Sequence, residues 1–338
     1  KNRSVSQYLL CFRSVERFRR LSNKDLHPKI FISNFIKFYT NRSKHIFHTQ
    51  TPSNMNRFHL LLTRLLCLFG LLTLSITTLS AQRPAGTIKI LAVGNSFSDD
   101  GVEYLDELAQ AAGIKLIIGN LYIGGCSLER HWNNVRNELP AYDYRKNVEG
   151  HQTNTPKTTL QEALQDEEWD YITVQQVSQN SGLYDTYYPY IDSLLTYLKA
   201  HARNPEVEFA IHQVWSYAWN STHPGFANYD NNQLKMYRDI VETVDKVARK
   251  EKIRIIIPSG TAIQTGRTLM GDRMNRDGFH LGWGLGRYLA ACTWFETFLG
   301  PVNGNSYRPE GVTPQEATIA QRIAHIAVLH PDEPGELQ

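Results

Sequence analysis

Lys89-Ile90-Leu91-Ala92-Val93-Gly94-Asn95-Ser96-Phe97-Ser98-Asp99-Asp100 is the stretch on which the reading of the fold turns. Its apolar run stops at Gly94, and a short polar turn carrying Ser96 leads into a helical pattern. An apolar run of this length bounded by glycine reads as a buried parallel strand. A residue at the carboxyl end of such a strand stands where open α/β sheets bind their ligands. Far downstream, Asp277-Gly278-Phe279-His280 offers the carboxylate and imidazole that a reactive serine needs.

Outward from this strand the chain alternates. Apolar, β-branched stretches at 87–93, 115–123, 171–176, 206–214 and 252–258 read as strands. Helical patterns lie among and after them at 102–112, 158–168, 188–202, 229–251, 285–299 and 314–329. Strands separated by helices imply right-handed βαβ units and a parallel sheet covered on both faces. The expected fold is a three-layer α/β/α sandwich with a five-stranded parallel sheet in the flavodoxin-like order 2-1-3-4-5. Its crevice should lie near the first and third strands. The polar segment 133–156 has no clear periodicity and reads as a long loop or short helix at the rim of that crevice.

The first quarter of the chain reads differently. Met55 opens a short cationic start, an apolar run of about 15 residues follows, and Ser80-Ala81 ends it, the pattern of a secretory signal peptide. The run is shorter than the roughly 20 residues of a membrane span. Cleavage is expected between Ala81 and Gln82, giving an exported, periplasmic or secreted protein with no stable span. Residues 1–54 then read as an over-extended N-terminus ahead of the true start, and 82–338 as a single domain.

This division reverses the charge. The 338 residues carry 36 Lys and Arg against 33 Asp and Glu, formally +3, but residues 1–81 hold 13 of the basic and 2 of the acidic side chains. The remainder, with 23 basic and 31 acidic residues, stands at −8. That balance excludes the basic footprint of a nucleic-acid partner. Of four cysteines only Cys126 and Cys292 lie beyond residue 81, too few for a disulfide framework. Both are expected to be free and buried, a single disulfide being the alternative in an oxidising compartment.

Ser96 reads either as a nucleophile at the sheet edge or as a helix cap, a role that Ser98 or Asp99 can fill instead. Asp277 and His280, three apart in a glycine-containing turn, can place imidazole beside carboxylate, which fixes the tautomer and supports the imidazolium. For the oxyanion, Gly124-Gly125 after the second strand allow a backbone N–H to approach a substrate closely. After the third strand, Gln176, Gln179 and Asn180 supply side-chain amides. His131, His151, His212 and His223 show no metal-ligand spacing, and no metal or cofactor is expected.

In this order the blocks resemble the SGNH (GDSL-like) hydrolase superfamily, over roughly residues 87–300. Gly94-Asn95-Ser96 is similar to its Gly-Asp-Ser block, with Asn in place of Asp. Gly125 matches the second-block glycine, and Asp277 and His280 match the final Asp-x-x-His. The third block, usually Gly-x-Asn-Asp, is represented by Val177-Ser178-Gln179-Asn180, where Gln179 takes the asparagine's place and Gln176 remains an alternative donor. The Gly-x-Ser-x-Gly elbow of α/β-hydrolases is absent. The resemblance implies that Ser96 attacks an ester carbonyl, His280 relays the proton and Asp277 orients His280. The N–H groups of Ser96 and Gly125, with Gln176 or Gln179, would hold the oxyanion.

Aromatic residues crowd two stretches near the expected crevice, Tyr184 to Tyr188 and Trp215 to Trp219. Tyr184, Trp215, Tyr217 and His131 are the candidate substrate-binding side chains. With an export signal, the resemblance points to the secreted carbohydrate-esterase-like branch and to a serine esterase acting on acetyl esters of carbohydrate. Lipid, aryl-ester or thioester hydrolysis on the same scaffold is the alternative within the enzyme class. A non-catalytic carbohydrate-binding relative is the alternative outside it. The partner expected is a small-molecule or polysaccharide ester.

Overall fold

The computed structural model describes residues 86–335. The expected leader at 55–81 and the segment before it lie outside the described residues. Ile88–Gly94 forms β1, with every side chain from Ile90 to Val93 buried. A strand with no wet face needs neighbours on both edges and helices over both faces. β1 runs parallel to β2 (Leu116–Tyr122) on one side and to β5 (Tyr171–Val174) on the other. β6 (Glu208–His212) and β7 (Ile255–Ile257) continue the parallel run beyond β5.

The sheet is nevertheless mixed and has seven strands, which corrects the expectation of a five-stranded parallel sheet. Its order is β4-β3-β2-β1-β5-β6-β7. The additional pair, β3 (Tyr142–Val148) and β4 (His151–Thr158), is an antiparallel hairpin laid against β2. It occupies most of the segment expected as a loop or short helix. Its tight turn has positive φ at Glu149 (49°) and Gly150 (93°), the geometry that keeps two strands twisted together. The hairpin escaped the hydrophobic pattern because β4 is an edge strand exposed along nearly its whole length. Polar pairs hold it instead: Lys146 reaches Asp166 at 2.6 Å and Glu167 at 2.7 Å, and the Tyr144 hydroxyl donates to Asp166. Pro156 and Lys157 on the outer strand discourage further pairing.

Nine helices of this part of the chain cover the sheet. α1 (Ser96–Val102), α2 (Leu105–Ala111), α7 (Ser259–Met270), α8 (Leu285–Phe298) and α9 (Pro314–Leu329) pack together around the fully buried middle of α8. α3 (Leu128–Arg136), α4 (Leu160–Asp166) and α5 (Tyr190–His201) form a second group. α6 (Gln233–Glu251) leans on α7. Three of these helices, α1, α3 and α7, lie outside the helical stretches expected, α1 beginning within what read as a polar turn. α7 is buried along Ser259 to Arg267 and built mostly of small and polar residues, so no apolar stripe marks it. Cys126 and Cys292 are both free and buried. Burial pushes the Cys126 thiol up to about 12 and that of Cys292 higher still, which keeps both unreactive.

Candidate active site

The segments that follow the carboxyl ends of β1, β2, β5 and β6 each deliver a residue to one hollow beside β1, and the turn beyond α7 adds Phe279 and His280. Gly94 begins the construction. A Cβ there would lie 2.3 Å from the Ser98 hydroxyl, so only glycine lets α1 fold back directly over the strand. Asn95 then caps α1: its Oδ1 accepts the Phe97 N–H at 2.9 Å. The cap is therefore Asn95, not Ser98 or Asp99, and Ser96 is left as the first helical residue with its hydroxyl free for other work.

Ser96 Oγ donates to His280 Nε2 at 2.8 Å, and His280 Nδ1–H donates to Asp277 Oδ2 at 2.7 Å. The other carboxylate oxygen of Asp277 accepts the backbone N–H groups of Phe279 and His280, at 3.1 and 2.8 Å. Partial burial works to raise the Asp277 pKa, but the His280 ring and these backbone donors outweigh it and hold the carboxyl below its ordinary value. The three sequence-expected residues thus form one connected chain, although Ser96 and His280 lie 184 positions apart.

The loop bearing Asp277 and His280 is clasped from several directions. Asp100, one turn beyond Ser96 on α1, accepts the Leu281 N–H at 2.7 Å and pairs with Arg287 at 2.6 Å and Arg276 at 3.2 Å. Asp100 is 1% exposed. Desolvation pushes its pKa up against the opposing pull of the two guanidiniums. Trp215 stacks on Phe97 at 4.4 Å and donates its indole N–H to the Phe279 carbonyl at 2.7 Å.

Beneath the nucleophile runs a buried polar chain with one consistent direction. Ser259 Oγ donates to His212 Nε2 (3.0 Å), His212 Nδ1–H to Gln175 Oε1 (2.9 Å), and Gln175 Nε2 to Asn95 Oδ1 (2.8 Å). Asn95 Nδ2 then donates to the Cys126 carbonyl at 3.0 Å. Asn95 in this way ties the serine turn to the loop that carries Gly125. An aspartate would present an oxygen to the Cys126 carbonyl, so the amide has a specific partner here.

The hollow measures about 220 Å³ and is lined by Asn95, Ser96, Phe97, Tyr122, Gly124, Gly125, Val177, Ser178, Gln179, His223, Phe279 and His280. Gly125 is exposed with φ +61°, and a Cβ there would meet nothing within 4 Å. The turn thus demands glycine for its backbone conformation, not for space. As the first residue of α1, Ser96 keeps an N–H with no helical acceptor. Gln179 also faces the hollow. Gln176 does not: its Oε1 accepts the Leu128 and Val177 N–H groups and its Nε2 donates to Thr186. A fully engaged, buried amide has no donor to offer a substrate, which removes Gln176 from the oxyanion candidates.

The four expected substrate-binding side chains also lie off the hollow, and each has a reason. His131 is in the core, stacked on Tyr142 with Nδ1 2.9 Å from the Tyr142 hydroxyl. Trp215 and Tyr217 are fully buried. Tyr217 bonds Ser178 at 2.8 Å and so supports the wall from behind. Tyr184 is covered by the Lys246 ammonium at 3.7 Å. The walls are formed instead by Tyr122, Val177, His223 and Phe279. Phe279 was within the Asp277–His280 string all along, and His223 follows β6 closely enough for strand topology to have indicated it. The expected rim segment does touch the wall: Arg145 of β3 lies 3.7 Å over the Tyr122 ring and pairs with Asp99.

Among the described residues no group of three or more His, Cys, Asp or Glu is arranged to hold a metal ion. No helix among them is long and apolar enough to cross a membrane.

Residues 89–327 match a family model described as a domain of unknown function, DUF4886. A crystal structure of a DUF4886 family protein from Bacteroides uniformis is 53% identical, with a TM-score of 0.73 over 75% of this chain and 98% of that one. A candidate SGNH hydrolase from Slackia heliotrinireducens is 21% identical, with a TM-score of 0.44 over 63% of this chain and 99% of that one. An acetylxylan esterase from Geobacillus stearothermophilus is 13% identical, with a TM-score of 0.42 over 66% of this chain and 97% of that one. None of the curated proteins compared matches the chain.

Proposed function

The chain belongs to the DUF4886 family, and from that premise we propose that it is a serine esterase that cleaves short acyl esters, acetyl esters first among them. The observation that carries the proposal is the Ser96–His280–Asp277 chain of hydrogen bonds opening into a small hollow. His280, its tautomer set by Asp277, takes the Ser96 proton as Oγ attacks an ester carbonyl. The oxyanion is received by the N–H groups of Ser96 and Gly125 and by the Gln179 amide. His280 then protonates the departing alcohol, and water repeats the sequence to free the acid.

A space of about 220 Å³ lies below the range of drug-sized ligand pockets, which favours a small acyl group over a fatty chain. The same limit argues against the lipid-hydrolase alternative. Export, read from the leader at 55–81, and a carbohydrate as the alcohol part belong to the same proposal. An exported esterase working on polysaccharide needs no cofactor for this chemistry.

The test is turnover of 4-nitrophenyl acetate by the purified protein beside Ser96→Ala. The variant should lose on the order of a million-fold in kcat. No turnover by the parent, or equal turnover by both, rejects the esterase and leaves the non-catalytic binding reading.

A further inference from the structure

His223 lines the hollow, yet the acyl chemistry described above gives it nothing to do. Its ring is fixed from three directions. Nδ1 accepts the Gly225 N–H at 3.0 Å, and the rings of Tyr217 and Phe279 each lie 4.8 Å from it, centroid to centroid. With Nδ1 accepting, the neutral ring carries its proton on Nε2, on the side turned away from its own turn. No acceptor for that N–H exists among the described residues. Its surroundings disfavour the protonated ring. Partial burial lowers its proton affinity first and the neighbouring His280 adds to this, against a weaker opposing effect of Asp277.

The position of His223 relative to the chemistry indicates which part of a substrate it meets. The 3-10 turn that follows it, Pro224–Tyr229, reaches the Gln179 carbonyl through Asn228 and Tyr229. Phe279 touches both imidazoles, its ring 4.1 Å from that of His280 and 4.8 Å from that of His223. The alcohol of an ester must leave beside His280, because His280 returns the proton to it. Phe279 spans the space between His280, beside which the alcohol leaves, and His223.

We propose that His223 is a specificity-determining residue whose Nε2–H binds an oxygen on the alcohol portion of the ester, next to the scissile bond. This rests on the esterase reading and sharpens it. The alcohol is then one that carries a second oxygen on the neighbouring carbon, as a vicinal diol does, and not a plain aliphatic alcohol. The acyl group is not addressed by this donor.

Two acetates that differ by a single hydroxyl test the assignment: trans-cyclohexane-1,2-diol monoacetate and cyclohexyl acetate. The parent should favour the diol monoacetate about 10-fold in kcat/KM, the scale of one neutral hydrogen bond. His223→Phe, which keeps a ring between Tyr217 and Phe279 but has no N–H, should bring the two values together. A product measurement guards against a variant that fails to fold: trans-cyclohexane-1,2-diol should inhibit the parent more strongly than cyclohexanol. Equal kcat/KM for the two acetates in the parent, equal inhibition by the two alcohols, or a preference that survives in a folded His223→Phe overturns the role of His223. Ser96-dependent hydrolysis of cyclohexyl acetate would still uphold the esterase in each of those cases. Inertness of the parent towards both acetates overturns the esterase, and the specificity role with it.

Discussion

At the scale of the residue, two glutamines three positions apart have opposite fates. Gln179 lines the hollow, whereas Gln176 is 2% exposed and bonded at both ends to backbone and Thr186. Removal of one oxyanion donor costs roughly 10²–10³-fold in kcat. Gln179→Ala should therefore lose activity on that scale while its unfolding midpoint stays near the parent's. Gln176→Ala should do the reverse and unfold about 2–4 kcal/mol more easily, because buried N–H groups of Leu128 and Val177 lose their acceptor. Kinetics and urea unfolding on both variants check the pair. Wild-type kcat in Gln179→Ala would show that its amide is not the oxyanion donor. Nothing in the spacing of Val174-Gln175-Gln176-Val177-Ser178-Gln179 distinguishes these residues. Only the arrival of α3 and of the Thr186 turn beside Gln176 consumes one amide and leaves the other.

At the scale of the element, α1 is seven residues long and serves both ends of the site. Its first residue is Ser96, and Asp100, one turn later on the same face, grips the backbone after His280. Asp100 and Arg287 are 1% and 3% exposed, so loss of the charge leaves a buried guanidinium with only Glu103 opposite. Breaking such a pair costs about 3–5 kcal/mol. Asp100→Asn should thus lower the thermal midpoint by several degrees. It should also reduce kcat by about 10- to 100-fold with little change in KM, because misplacing His280 affects the chemical step more than binding. A variant with unchanged kcat at a temperature where it is folded would separate Asp100 from the positioning of His280. The elements that were readable beforehand are those with a clear period, β1 and α9 above all. The β3–β4 hairpin and α7 were not, because one is solvated on an edge and the other buried on every side, and neither alternates apolar with polar.

At the scale of the whole molecule, the core contains two buried histidines. Burial holds the pKa values of His131 and His212 down to about 3, against an ordinary 6.5. Between those values the unfolded chain takes up protons that the folded chain refuses. Stability is therefore complete above about pH 6.5 and declines as pH falls towards 3, on the order of 1 kcal/mol per pH unit for each histidine. Urea unfolding at pH 7 and pH 4 measures this. A midpoint that does not move would mean that both rings accept protons within the fold.

The order of the blocks along the chain determined a good deal by itself. An apolar strand that ends in Gly94 has to be internal to a parallel sheet, and strand-to-helix alternation has to return each successive loop to the same edge. Ser96 and the Asp277–His280 turn are legible for that reason, since handedness and strand direction follow from local sterics. The tertiary structure alone decided which polar side chains face the hollow. His131, Trp215, Tyr217, Gln176 and Gln179 are all plausible lining residues by type. Whether each one lines the hollow depends on which buried donors and acceptors, far away in sequence, must be satisfied first, and that is known only once the elements have packed.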